Sequence, residues 1–163
     1  MYDLLITNAR IVDGTGSPAF VGSVAVADGL IVEVGDVDGA AHQTIDAGGH
    51  LVTPGFVDIH THYDGQLTLD PYLRPSTYHG VTTVVMGTRG VGLSPCKPEK
   101  REWVIGLMEG VEDIPGTALH EGIDWEWETF PEYLDTLEKK PLAIDVGTQI
   151  PHGAVRAFVM GER

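Results

Sequence analysis

Two histidines separated by a single residue are the strongest chemical signal in this sequence. His60 is the last residue of Phe56–His60, a mostly apolar segment that is typical of a strand, and His62 lies two positions further on. Side chains at positions i and i+2 of a strand point to the same face, and the rise per residue puts their Cα atoms about 6.6 Å apart. Both imidazoles can then reach one ion at about 2.0–2.1 Å. The pair therefore indicates a metal site at the end of a strand.

Other polar residues near this segment are candidates for a supporting role. Tyr63 and Asp64 directly follow the pair and could contact a substrate or hold the ligands in place. His152 follows a later strand, and both a functional and a structural role are open for it. For Asp58 we expect a structural hydrogen bond. Cys96 is the single cysteine, which excludes an internal disulfide, and we expect it to be an ordinary buried or loop residue.

The elements around the histidines alternate in type. The apolar segments Val81–Met86 and Leu142–Ile150 predict two further strands, and helical patterns lie between the strands. We expect one helix to begin at Asp70 and to end at Gly80, and the spacing of Thr129 and Glu132 predicts a capping box for another. This order favours an α/β fold with a parallel sheet, whose carboxyl edge is where such folds carry chemistry.

The first 53 residues have a different pattern, with short alternating strands and glycine turns. Asp28-Gly29 predicts a hairpin, and Gly48-Gly49 predicts a second hairpin between the strands that flank it. We therefore divide the sequence into a small β module, residues 1–53, and an α/β region, residues 54–163.

The composition limits the classes of partner. The 163 residues carry 10 Lys and Arg against 24 Asp and Glu, a formal net charge of −14. Phosphate repels such a chain, so the composition argues against nucleic acid and anionic lipid as partners. The sequence has no apolar stretch of transmembrane length and no secretory leader pattern. We expect a cytoplasmic protein that acts on a small molecule.

Several longer motifs resemble one family. They are Pro54–Asp64, His79–Gly87, Gly90–Gly92, Gly110–Gly116, and Gly122–Trp127 with the following Phe130–Leu134. Together they resemble the D-aminoacylase (N-acyl-D-amino-acid deacylase) branch of the amidohydrolase superfamily. The resemblance implies a TIM-like barrel with an accessory β-sandwich, one or two zinc ions, and hydrolysis of an N-acyl amino acid or related amide. It makes His60 and His62 the first two zinc ligands and places the catalytic residues beyond residue 163.

One position departs from the pattern of that branch. Its members have a metal-binding cysteine in the loop after the second barrel strand, where this sequence has Arg89. A guanidinium is always a cation and cannot bind zinc. Arg89 could replace the charge of a second metal, bind a substrate carboxylate, or mark a non-catalytic relative. A hydrolase of cyclic amides is a further alternative.

The number of strands bears on completeness. Only three barrel strands are predicted, whereas a closed barrel needs about eight strands and roughly 250 residues. We therefore expect an incomplete barrel, in which the sequence is the first part of a longer protein and the isolated segment is inactive.

Overall fold

The computed structural model describes residues 1–112 and 114–161, apart from the side chain of Glu112. Asp113, within one of the motifs above, and residues 162 and 163 lie outside the described part. The chain divides into two units, Met1–Pro54 and Gly55–Arg163.

The first unit is one mixed sheet. In chain order its strands are β1 (Tyr2–Ile11), β2 (Phe20–Ala27), β3 (Leu30–Gly35), β4 (Ala41–Asp46) and β5 (Leu51–Val52). The sheet order is β3-β2-β1-β4, and β5 also pairs with β1. Asp28 and Gly29 both have positive φ, 52° and 74°, as the tight turn between β2 and β3 requires, so the predicted hairpin is confirmed.

The second predicted hairpin, around Gly48-Gly49, is wrong. β4 and β5 do not pair with each other, because each pairs in parallel with a different part of β1. β1 is ten residues long, and Leu4 pairs with Gln43 while Arg10 pairs with Leu51. β1 thus provides hydrogen-bond partners for the backbones of both β4 and β5. A local turn pattern cannot reveal this pairing.

The second unit is built on a parallel sheet in the order β6-β7-β8. Its elements are β6 (Phe56–Asp58), α1 (Gln66–Leu69), β7 (Val81–Met86), α2 (Arg101–Glu112), α3 (Gly116–Gly122), α4 (Phe130–Glu138), β8 (Asp145–Thr148) and α5 (His152–Met160). Short 3-10 turns occupy Ser76–His79, Thr88–Gly90 and Pro98–Lys100. The α/β class is confirmed. No helix in the described part of the chain is long and apolar enough to cross a membrane.

Helices α2 to α4 supply the core of this unit. Met108, Leu119 and Tyr133 are fully buried in one cluster with Val84 and Met86 of β7. The predicted capping box is present at the start of α4: Thr129 accepts a hydrogen bond from the backbone of Glu132, whose carboxylate accepts one from Thr129. The helical layer fixes β7 and, with it, the turns at its carboxyl end.

The helix expected to begin at Asp70 does not form there. Asp70 instead ends α1, and its carboxylate accepts hydrogen bonds from the backbone of Tyr72 and from the backbone and Nε of Arg74. The same side-chain chemistry that caps a helix closes a turn here. Gly80, in the left-handed region at φ 81°, ends the Ser76–His79 turn instead of a long helix.

Candidate metal centre

His60 and His62 lie just beyond β6, at the carboxyl edge of the parallel sheet. Between them, Thr61 donates hydrogen bonds from both its backbone N–H and its Oγ1 to the carbonyl of Val85 in β7, each at 2.9 Å. Thr61 is thereby fixed to the neighbouring strand, and the two histidines flank it. Their rings lie edge to face with centroids 5.5 Å apart. The structure therefore brings both imidazoles to one place.

The protonation chemistry of the pair suits a metal ligand. Nδ1 of His62 is buried and has no hydrogen-bond partner within the described residues. Burial lowers the pKa of His62, and the neighbouring His60 and the charge of Arg89 lower it further. A neutral imidazole with a free buried nitrogen is the form that binds a metal ion. The two side chains therefore fit a metal, although no third ligating side chain joins them in the part of the chain that the structure describes.

Asp64 is buried at the same edge. Its side chain is 1% exposed, and its Oδ2 accepts a hydrogen bond from the backbone N–H of Gly87 at 3.2 Å. Burial raises the pKa of Asp64 to about 7, and the bond from Gly87 acts in the opposite direction. Through this bond Asp64 joins the segment after β6 to the turn after β7.

The Thr88–Gly90 turn carries Arg89. Thr88 Oγ1 donates to the carbonyl of Thr61 at 3.1 Å, so the turn is held directly beside the residue between the two histidines. Arg89 has a left-handed backbone, φ 55° and ψ 16°, which costs a non-glycine residue about 1–2 kcal/mol. Its side chain is exposed and makes no hydrogen bond or ion pair with the described residues.

The remaining sequence candidates have other contacts. The hydroxyl of Tyr63 forms a hydrogen bond with Ser76 Oγ at 2.5 Å. His152 is the first residue of α5, exposed, and lies against Gly90. Asp58 accepts a hydrogen bond from the backbone of His60, the structural bond we expected. Cys96 is buried.

Sequence reasoning missed the residues that set the spacing at this edge. Gly87 has φ 71°, and a Cβ there would collide with the carbonyl oxygen of Gln149. A Cβ on Gly92 would lie 2.6 Å from Asp64 Oδ1 and 2.8 Å from Pro151 Cγ. The signal was present in the repeated glycines after β7, which indicate close approach of backbone segments. The anchoring role of Thr61 and Thr88 had no such signal.

Comparisons with known proteins identify relatives of this chain. The chain is 34% identical over 160 residues to the D-aminoacylase of Alcaligenes xylosoxydans xylosoxydans. Among solved structures it resembles a D-aminoacylase with a binuclear metal centre (TM-score 0.79, 31% identity, 99% of this chain and 32% of that one). It also resembles an N-acyl-D-glutamate deacylase from Bordetella bronchiseptica, solved with zinc and a phosphonate inhibitor (TM-score 0.76, 31% identity, 98% of this chain and 31% of that one).

These matches cover nearly all of this chain but only part of each relative. The alignment with the Alcaligenes enzyme takes in 98% of this chain and 31% of that protein, so the chain spans about a third of its relatives' length. The model of the amidohydrolase family, Amidohydro_3, matches residues 43–163. The chain therefore belongs to the amidohydrolase family.

Proposed function

We propose that this chain is part of a metal-dependent hydrolase of the amide bond in small N-acyl amino acids, and that His60 and His62 are two ligands of its zinc. One observation carries the proposal: Nδ1 of His62 is buried, has no hydrogen-bond partner among the described residues, and lies beside the ring of His60 at the carboxyl edge of a parallel sheet. The names of the similar proteins, D-aminoacylase and N-acyl-D-glutamate deacylase, support the substrate class. We place the other ligands and the catalytic residues beyond residue 163.

The chemistry divides between the metal and the chain. A zinc ion supplies Lewis acidity, which favours attack of water on an amide carbonyl. The residues of this chain hold and orient the two histidine ligands. Thr61, between the two histidines, is hydrogen-bonded to β7. Asp64 and Thr88 join the turn after β7 to the segment that carries the histidines. This fixed edge preorganises the ligand geometry, as a catalytic metal site needs.

The architecture is part of the proposal. We assign the second unit to the first part of a TIM-like barrel, with β6, β7 and β8 as its first three strands, and the first unit to part of a β-sandwich. The parallel sheet supports a barrel, because its strands lie side by side in the same order as in the sequence, β6-β7-β8. Residue 54 is the boundary that we assign between them.

The test combines metal analysis with a substrate panel on the intact protein. N-acyl-D-amino acids, their L forms and a cyclic amide are offered, and zinc is measured by mass spectrometry. We expect at least one zinc ion per protomer and turnover of linear N-acyl amino acids. The double variant His60→Ala/His62→Ala is expected to lose zinc and at least about 10³-fold in activity, since a metal contributes several kcal/mol to the transition state.

The matched control is His42→Ala/His50→Ala in the first unit, which should keep both zinc and activity. Full activity in the His60→Ala/His62→Ala variant would refute the assignment. Zinc binding without turnover of any substrate would favour a non-catalytic relative, which the unusual Arg89 also suggests. Turnover of the cyclic amide alone would show that the protein is a hydrolase of cyclic amides and not of linear N-acyl amino acids.

A further inference from the structure

The turn after β7 is fixed relative to the histidine pair by side chains from two directions. Thr88 Oγ1 donates to the carbonyl of Thr61, which lies between His60 and His62. Immediately before it, the N–H of Gly87 donates to the buried carboxylate of Asp64. The backbone that carries Arg89 therefore keeps a constant position beside the candidate metal centre.

The side chain of Arg89 has no structural task within the described residues. It is exposed and makes no hydrogen bond or ion pair with them, whereas Arg74, also exposed, forms an ion pair with Asp70 at 3.0 Å. Asp64, the carboxylate that holds this turn, is buried and accepts a hydrogen bond from the backbone of Gly87. A guanidinium on a fixed turn, with its donors unused, is a receptor for an anion.

The hydrogen bond of Thr88 also sets where Arg89 lies relative to the histidine pair. Arg89 directly follows Thr88, whose Oγ1 lies 3.1 Å from the carbonyl oxygen of Thr61, and Thr61 is the residue between His60 and His62. A ligand group bound by Arg89 would therefore lie at the same edge of the sheet as the two imidazoles.

We propose that Arg89 binds the free carboxylate of the substrate and thereby selects anionic N-acyl amino acids over their neutral amides and esters. The proposal rests on the proposed function, because it names a contact of the same site. The planar fork of a guanidinium matches a carboxylate with two parallel N–H···O bonds, which an ammonium cannot reproduce. Arg89 is then the residue that fixes the carboxylate end of the substrate, and the histidine pair serves the amide end.

The experiment compares two substrates in the intact protein, an N-acetyl amino acid and its C-terminal amide. In Arg89→Gln we expect KM for the acid to rise by about 10- to 100-fold, as for loss of a charge-assisted bidentate contact, with kcat changed far less. For the neutral amide, kcat/KM should change less than about threefold. Arg89→Lys should recover only part of the loss, since it restores charge without the fork. Arg74→Gln is the matched control and should leave both substrates unaffected.

Two outcomes would overturn the proposal. Equal losses for both substrates in Arg89→Gln would show a structural role for Arg89, and unchanged KM for the acid would show that the carboxylate binds elsewhere. If the wild-type protein hydrolyses neither substrate, the proposed function fails separately. Calorimetric titration with the N-acetyl amino acid then still decides the role of Arg89: weaker binding to Arg89→Gln than to wild type supports it, and equal binding or no binding refutes it.

Discussion

The two units use the same residue types to different ends, and their histidines show this directly. His50 in the first unit is exposed, and its Nδ1 is hydrogen-bonded to the carbonyl of Ala47 at 2.7 Å within its own turn. Nδ1 of His62 in the second unit is buried and has no partner in the described residues. The hydrogen bond of the first histidine is made locally, whereas the second has a buried ring nitrogen for which the described residues supply no partner.

The sheets explain the difference. The first unit is mixed and largely uncovered: Leu30, Ile31 and Val32 of β3 are all more than half exposed. The second is parallel and covered by helices, so that Val84 and Met86 of β7 are fully buried. Parallel strands gather the residues that follow them at one edge, and the helical layer holds that edge still. The candidate site therefore lies at the carboxyl edge of the parallel sheet, which the helices cover.

The largest expected difference between the units concerns one identical substitution. Leu119 in α3 is fully buried and Leu30 in β3 is 68% exposed. Leu119→Ala should lower the free energy of unfolding by about 2–5 kcal/mol, because it leaves a cavity in the core. Leu30→Ala should change it by no more than about 0.5 kcal/mol. Urea denaturation of the intact protein, followed by tryptophan fluorescence and circular dichroism, measures both.

A loss from Leu30→Ala as large as that from Leu119→Ala would contradict the contrast between the units. It would show that the Leu30 side chain is buried in the intact protein. Both sheets would then be covered in the intact protein, and the two units would differ only in what covers them.

A smaller effect is expected at the edge of the parallel sheet. Gly87→Ala should destabilise the protein by about 2–4 kcal/mol, because the new Cβ meets the Gln149 carbonyl and the backbone is left-handed. Gly106→Ala in α2 is the control: outside the backbone of the helix itself, no described residue lies within 4 Å of a Cβ there, and alanine favours the helix by about 0.5–1 kcal/mol. Thermal unfolding of both variants measures the difference, and a neutral Gly87→Ala would show that the edge can relax.

Local signals predicted much of the fold. The Asp28-Gly29 hairpin and the Thr129–Glu132 capping box each depend on a few neighbouring residues, and both are present. The pairing of β4 and β5 with β1 depends on residues some 40 positions apart, for which the sequence has no local signal. The Asp70 helix failed for a related reason, since a short acidic side chain closes a turn as readily as it caps a helix.

The candidate site divides in the same way. The spacing of His60 and His62 predicted a shared face, and the structure places their rings together. The bonds from Thr88 to Thr61 and from Gly87 to Asp64 join segments more than 20 residues apart, so residue types alone do not reveal them. Sequence thus indicates which residues could do chemistry, and the fold shows what holds them in register.

The smallest effect that we expect is a pH-dependent one at the start of α4, in the covering layer. The carboxylate of Glu132 accepts hydrogen bonds from the backbone of Thr129 at 2.8 Å and of Glu128 at 3.0 Å, and these bonds, with the one from Thr129 first, lower its pKa below the ordinary value of 4.5. A lowered pKa in the folded state means that the stabilisation is complete above the unfolded value and is lost as pH falls through the folded one.

Glu132→Gln should therefore destabilise the protein slightly at pH 7, and the difference from wild type should shrink below about pH 4. Urea denaturation at pH 7 and near pH 3.5 measures it. Glu138→Gln, at the other end of α4, is the matched control, because Glu138 is exposed and forms no hydrogen bond with the described residues. A difference between wild type and Glu132→Gln that is equal at both pH values would show that the cap does not depend on the carboxylate charge. The helical layer would then hold its parallel sheet by packing and neutral hydrogen bonds alone.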